Sequence, residues 1–176
     1  GETKILHVSA SPNPRKGLYK VLQLAGLLDG NVGIQFFLVG NQKNDPICGR
    51  DIEKFRNVHY LGPVNDRQQL SSIYRAADIF LFPSEKDCSP NVILEAMACG
   101  LPVITVDSGG NKELIQKSDL VGGLILDRKN PVLAVQNMIE HYERFQAGAL
   151  EIVERYHKKE IMKKNYVDVI RELIDS

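Results

Sequence analysis

Cysteine is scarce in these 176 residues: Cys48, Cys88 and Cys99 are widely spaced, and no two of them form a C-x-x-C pair. Such an odd, scattered set argues against a disulfide framework and a zinc site, and it fits a reducing, cytosolic setting. An excess of charge is lacking too. The 22 Lys and Arg balance 22 Asp and Glu, so there is no basic stripe to track a phosphate backbone, and nucleic acid is not expected as a partner. No apolar stretch approaches the roughly 20 residues of a membrane span, and Gly1 to Lys4 do not read as a signal peptide. Internal repeats and low-complexity segments are absent, and the four histidines (His7, His59, His141, His157) show no metal or triad spacing, so no chemistry is assigned to them. What remains is an expected single domain, 1–176, whose 43% hydrophobic content suffices for an ordinary core.

Short β-rich runs alternate with segments of helical period, the pattern of βαβ units that close a parallel sheet with helices on both faces. The strand candidates are Ile5–Val8, Gln35–Val39, Val58–Leu61, Ile79–Phe82, Val103–Val106 and Gly123–Leu126. Several are nearly all apolar, as strands buried on both faces should be. The expected fold is therefore α/β, a doubly wound, Rossmann-like parallel sheet of about six strands. Val21, Leu24, Ala25 and Leu28 recur at helical spacing, as do Leu70, Ile73, Tyr74 and Ala77, each marking the core face of an amphipathic helix. A third helix is expected to start near Ser89-Pro90, where a favoured N-cap precedes a favoured first residue, and to end at Gly100 before Pro102. Following the fourth strand directly, it would open its N-terminus at the carboxyl edge of the sheet, where free N–H groups attract phosphate. The end of the chain, Pro131 to Ser176, is helical in pattern, with Met162, Tyr166, Val169, Ile170 and Leu173 on one face. Asn41–Gly49 reads as a loop rich in turn formers.

The run from Phe82 to Ile104 carries the strongest signal: Asp87 and Glu95 stand eight positions apart, followed by Ala96-Met97-Ala98, Gly100 and Pro102-Val103. It closely resembles the signature of the retaining GT-B glycosyltransferases often called family 4. The resemblance extends along the chain through Arg15-Lys16-Gly17, Val39-Gly40, Val58–Gly62, Tyr74–Ser84, Ser108-Gly109-Gly110 and Glu113-Leu114-Ile115. It covers essentially the whole chain as the family's C-terminal, donor-binding domain, the N-terminal acceptor domain being absent from this chain.

The resemblance implies a role for each matching position. Asp87 would contact the donor sugar, where a carboxylate favours positive charge developing on the ring. The family's usual residue there is Glu, and Asp is shorter by one C–C bond of about 1.5 Å. The plain alternative is that Asp87 caps the following helix. Glu95 would accept hydrogen bonds from the two ribose hydroxyls; the segment around it reads as too apolar for an exposed face. Lys16 would face the diphosphate and offset charge on the departing nucleotide. A second cation, an Arg that the family carries near Ser9–Ser11, is missing, and Arg15 is the candidate to replace it. The turn of Ser89, Pro90, Asn91 and Val92 would place backbone amides near the phosphates, and Gly40 belongs to the same donor site. Gly109 and Gly110 would let phosphate or sugar approach closely. Leu61 and Gly62 lie where the family holds the base.

The implied activity is sugar transfer from a nucleoside-diphosphate sugar to a hydroxyl of a glycan, lipid or protein, the acceptor being held mainly by the absent domain. The donor is a substrate, so no cofactor is expected, nor a metal, because a lysine and helix N-termini can take the cation's role. The full protein is expected in the cytoplasm, with peripheral association at the cytoplasmic face of a membrane as the variant for a lipid acceptor. Two other readings stand beside this one. Asp87 and the missing Arg would also suit a non-catalytic nucleotide-sugar module, and the fold would suit another GT-B enzyme such as a sugar-nucleotide epimerase. A nicotinamide-binding domain is excluded, because the first strand is followed by Ser9–Gly17 and no G-x-G-x-x-G.

Overall fold

The computed structural model describes residues 1–31, 33–85, 87, 90–161 and 163. Among these described residues, six parallel strands form one sheet: β1 (Thr3–Ser9), β2 (Ile34–Gly40), β3 (Val58–Gly62), β4 (Ile79–Phe82), β5 (Val103–Thr105) and β8 (Gly123–Ile125). Their order is β3-β2-β1-β4-β5-β8, so the winding reverses between β1 and β4. The doubly wound fold read from the sequence is the one observed. Strand β4 shows why its sequence is all apolar: Ile79, Phe80, Leu81 and Phe82 are each no more than 1% exposed, with alternate residues feeding opposite faces.

Helices α1 (Leu18–Leu27) and α5 (Pro131–Glu140) cover one face, packing Val21, Leu24 and Val135 onto Ile5, Leu81 and Ile104. On the other face, α2 (Arg67–Ala76), α3 (Asn91–Ala98) and α6 (Tyr142–Ile152) pack Tyr74, Ile93, Met97 and Ala149 onto Leu6, Phe80 and Phe82. Burying one such large side chain contributes about 1.5–3 kcal/mol. Thr105, the one polar residue of β5, is fully buried, and its hydroxyl is satisfied by the Phe82 carbonyl at 2.7 Å.

Several boundaries differ from the sequence-based expectation. Helix α3 starts at Asn91, one residue beyond the expected Ser89-Pro90 start, because Pro90 is the extended N-cap residue; it ends at Ala98. A short helix, α4 (Asn111–Ile115), and a two-stranded antiparallel hairpin of β6 (Gln116–Lys117) and β7 (Leu120–Val121) fill the segment before β8. Within Asn41–Lys54 the chain forms 3-10 turns at Gln42–Asn44 and Gly49–Lys54. After α6 a π-helical turn, Val153–His157, interrupts the expected regular helix. Met162, Tyr166, Val169, Ile170 and Leu173 lie outside the described residues.

Candidate functional site

The reversal between β1 and β4 opens a crevice at the carboxyl edge of the sheet, the general ligand position in such folds. The loops leaving the two strands meet there. After β1, Asn13-Pro14-Arg15-Lys16 makes a 3-10 turn in which the Asn13 side chain accepts from the Arg15 N–H at 3.0 Å. Gly17 closes it at φ +83°, and a Cβ at this position would sit 2.4 Å from the Pro83 carbonyl oxygen, so only glycine lets the two loops touch. The contact is sealed by the Arg15 carbonyl, which accepts from the Glu85 N–H at 3.0 Å and the Ser84 hydroxyl at 3.3 Å.

This turn delivers Lys16 to Asp87. Lys16 Nζ lies 2.5 Å from Asp87 Oδ2, with the two side chains 30% and 20% exposed, and 6.0 Å from the centroid of the Phe82 ring. The Asp87 side chain is thus engaged by a cation, while α3 has Pro90 as its N-cap and no side-chain cap. The Arg15 side chain is exposed, turned to solvent beside the pair.

The segment that carries Asp87 is braced from several sides. Asn111, fully buried, donates to the Ser84 carbonyl at 3.3 Å, and the Ser108 hydroxyl donates to the Glu85 carbonyl. Gly109, at φ +57°, lies so close that a Cβ would be 2.2 Å from the Asp87 carbonyl oxygen. Lys20 pairs with Glu85 at 2.6 Å, and Tyr19 donates to the same carboxylate at 3.1 Å. Lys20 holds the Glu85 carboxyl below the usual carboxylate range, with Tyr19 adding to the effect. Sequence reasoning gave Lys20, Glu85, Ser108 and Asn111 no role of their own, because each acts through a contact distant in sequence.

Helix α3 begins at the same edge, and its first turn, capped by no side chain among the described residues, leaves the partial positive charge that attracts anions. Its exposed face carries Asn91 and, one turn on, Glu95, while Ile93, Ala96 and Met97 are buried. Glu95 is exposed, contrary to the expectation drawn from its apolar neighbours: the helical period turns those neighbours inward and leaves Glu95 facing the solvent-open edge. The Tyr74 hydroxyl donates to Glu95 Oε2 at 3.3 Å. Burial, with Glu95 adding, raises the Tyr74 pKa and keeps the phenol protonated.

Beside α3 lies a cavity of about 180 Å³ lined by Val39, Gly40, Asn41, Pro63, Val64 and Val92, among others. It joins the expected Gly40 and Val92 to a Pro63–Asn65 segment that the sequence did not single out. Leu61 does not line it. The Leu61 side chain lines a neighbouring groove with Lys4, Leu6, Phe37 and Ile73, and Gly62 lines neither. Gly110 is the N-cap residue of α4, and Ser89 lies outside the described residues.

His7, on β1, is 1% exposed and sets its Nδ1 2.9 Å from the Leu81 carbonyl. A carbonyl only accepts, so the ring hydrogen is on Nδ1. Burial lowers the His7 pKa to about 4, with Lys16 adding to the effect, so the ring is neutral near pH 7 and brings no second positive charge to the crevice. Among the described residues, no group of three or more His, Cys, Asp or Glu side chains is arranged to hold a metal ion. None of the described helices is long and apolar enough to cross a membrane.

Residues 2–144 match the family described as Glycosyl transferases group 1. Among curated proteins, the chain is 33% identical over 117 residues to the N,N'-diacetylbacillosaminyl-diphospho-undecaprenol alpha-1,3-N-acetylgalactosaminyltransferase of Campylobacter jejuni, covering 65% of this chain and 29% of that one. Among solved structures, sucrose-phosphate synthase from Thermosynechococcus elongatus superposes with a TM-score of 0.78 at 24% identity, over 99% of this chain and 46% of that one. HepE of Anabaena, solved in complex with UDP, gives 0.77 at 21% identity, over 97% and 49%. At these identities the structures establish the shared fold. The chain spans less than half the length of each of these three proteins.

Proposed function

Because the chain belongs to the glycosyl transferases group 1 family, we propose that it is the donor-binding domain of a retaining transferase that moves a sugar from a nucleoside diphosphate to an acceptor hydroxyl. One observation carries this reading: at the sheet's reversal point, a lysine, a carboxylate and a helix N-terminus converge beside a cavity and an exposed helical carboxylate. Lys16 and the first turn of α3 bind the diphosphate and offset the charge that grows on it as the sugar departs. Glu95 accepts from the ribose hydroxyls, and the Gly40–Val92 cavity receives the base. Asp87 accepts from sugar hydroxyls and favours the oxocarbenium-like ring of the transition state. Gly109, packed against the Asp87 carbonyl, and Gly110, at the start of α4, hold the loop that faces the sugar beside Asp87. HepE, which shares this fold, was solved in complex with UDP, and a nucleotide ligand for this chain is in keeping with that. The acceptor, a glycan or lipid hydroxyl, is held mainly by the N-terminal part of a longer protein.

The closed Lys16–Asp87 pair also favours a second reading, a binder without turnover. Supplying UDP-, GDP- and ADP-sugars to the 176-residue chain and to a longer protein containing it separates the two. The transferase reading expects donor binding but no transfer by the chain alone, since one wall of the cleft is absent, and transfer with retained anomeric configuration by the longer protein. Robust transfer by the chain alone contradicts the half-site assignment, and an inverted product contradicts the retaining one.

A further inference from the structure

We propose that Tyr74 sets the ribose selectivity of the nucleotide site by holding the Glu95 carboxylate, an inference that rests on the ribose-binding role proposed for Glu95. Glu95 stands on the open face of α3, where a long side chain has several staggered conformers of similar energy and loses that freedom when it binds. Tyr74 removes much of the freedom in advance. It reaches across from α2, is itself only 2% exposed, and its ring is fixed edge-on against Phe80, with centroids 5.7 Å apart at 66°. From this rigid base its hydroxyl donates to Glu95 Oε2 at 3.3 Å. One turn along the same seam Ser71 Oγ and Cys99 Sγ lie 4.0 Å apart, so the two helices meet along this line and not at a single point.

The geometry divides the carboxylate's capacity. A carboxylate offers about four lone-pair sites on two oxygens. Tyr74 occupies one site on Oε2, leaving Oε1 and the rest of Oε2 to receive two neighbouring hydroxyls. A ribose diol matches that pair of acceptors, and a 2'-deoxyribose leaves one of them facing an apolar edge. Without the phenol the carboxylate can turn to water, where it no longer distinguishes the two sugars. Tyr74 is therefore a positioning residue, acting through Glu95.

The test compares affinities by calorimetry. The chain is titrated with UDP, GDP and ADP, and the tightest binder is then compared with its 2'-deoxy analogue. Wild type should prefer the ribonucleotide by about tenfold, the size of one charge-assisted hydrogen bond. Glu95→Gln should lose most of that preference, and Tyr74→Phe should reduce it at least threefold. The double variant should show no less preference than Glu95→Gln alone, since Tyr74 acts only through Glu95. The preference is a ratio of two affinities in one protein, so any loss of folded fraction cancels from it. If Tyr74→Phe keeps the wild-type preference while Glu95→Gln loses it, the role of Tyr74 is overturned and that of Glu95 stands. A preference unchanged in Glu95→Gln, or no binding of any of the three diphosphates, overturns both.

Discussion

Replacing Asp87 with Asn should tighten binding of a free nucleoside diphosphate. The Lys16 ammonium is held by Asp87 at 2.5 Å, so an incoming diphosphate must compete for a cation that already has an anionic partner. Asparagine keeps the size and a hydrogen-bonding oxygen but removes the charge. Two effects then add. The ion pair to be broken is partly exposed, the side chains being 30% and 20% accessible, which puts its strength near the roughly 0.2–1 kcal/mol of surface pairs. The carboxylate also repels the diphosphate: at about 7 Å and an effective dielectric of about 20–80, that repulsion is roughly 0.6–2.4 kcal/mol before salt screening. With screening, a net gain of about 0.5–1.5 kcal/mol follows, or about two- to tenfold in Kd. Isothermal titration of UDP, GDP and ADP into wild type and Asp87→Asn at low salt reads it directly, and the gain should shrink as ionic strength approaches 1 M. The sugar conjugate should gain less, because Asn accepts sugar hydroxyls more weakly than a carboxylate does. An unchanged or weaker affinity for every free diphosphate, in a variant of wild-type melting temperature, would refute the competition for Lys16.

Three further outcomes are expected. Glu95→Gln should weaken nucleotide binding by about 1–3 kcal/mol and leave the melting temperature unchanged, as its exposed position requires; an unchanged Kd removes Glu95 from the site. Phe80→Ala, at a fully buried strand position, should cost about 3–5 kcal/mol in urea unfolding, and a cost below about 1 kcal/mol would contradict the packing of α2 and α3 on this face. His7 is neutral when folded, with its pKa lowered from 6.5 to about 4. The unfolded chain therefore binds the proton first, and folding stability should be unaffected above about pH 6.5 and lost progressively as pH falls towards 4. Urea midpoints at pH 7, 6 and 5 for wild type and His7→Asn check this. Equal pH slopes would show that His7 is not the group responsible.

Much of the fold was legible because buried parallel strands announce themselves. Ile79–Phe82 was expected and found with the same bounds, since a short, all-apolar run in an alternating β/α pattern suits a strand buried on both faces. The hairpin Gln116–Val121 was not legible: each strand is two residues long, too short for any periodicity. The Asp87–Glu95 spacing pointed to a site, and the elements bring its flanking loops to the sheet edge. Solvent exposure of Glu95 could not be read from Leu94 and Ala96 because sequence neighbours on a helix point about 100° apart. Nor could the bracing of Asp87 by Lys20–Glu85, Ser108 and Asn111, which joins α1, the loop after β4 and the start of α4 across contacts that no local pattern records.

The central claim is that this edge of the sheet binds a nucleoside diphosphate, and amide chemical-shift mapping of the isotope-labelled chain tests it most directly. On addition of UDP, GDP or ADP, at least one should produce saturable shifts at Lys16, Gly17, Gly40, Val92, Glu95 and Gly109, with β6, β7 and the outer face of α5 unchanged. Shifts centred on those distant elements, or no saturable shift with any of the three nucleotides, would contradict it.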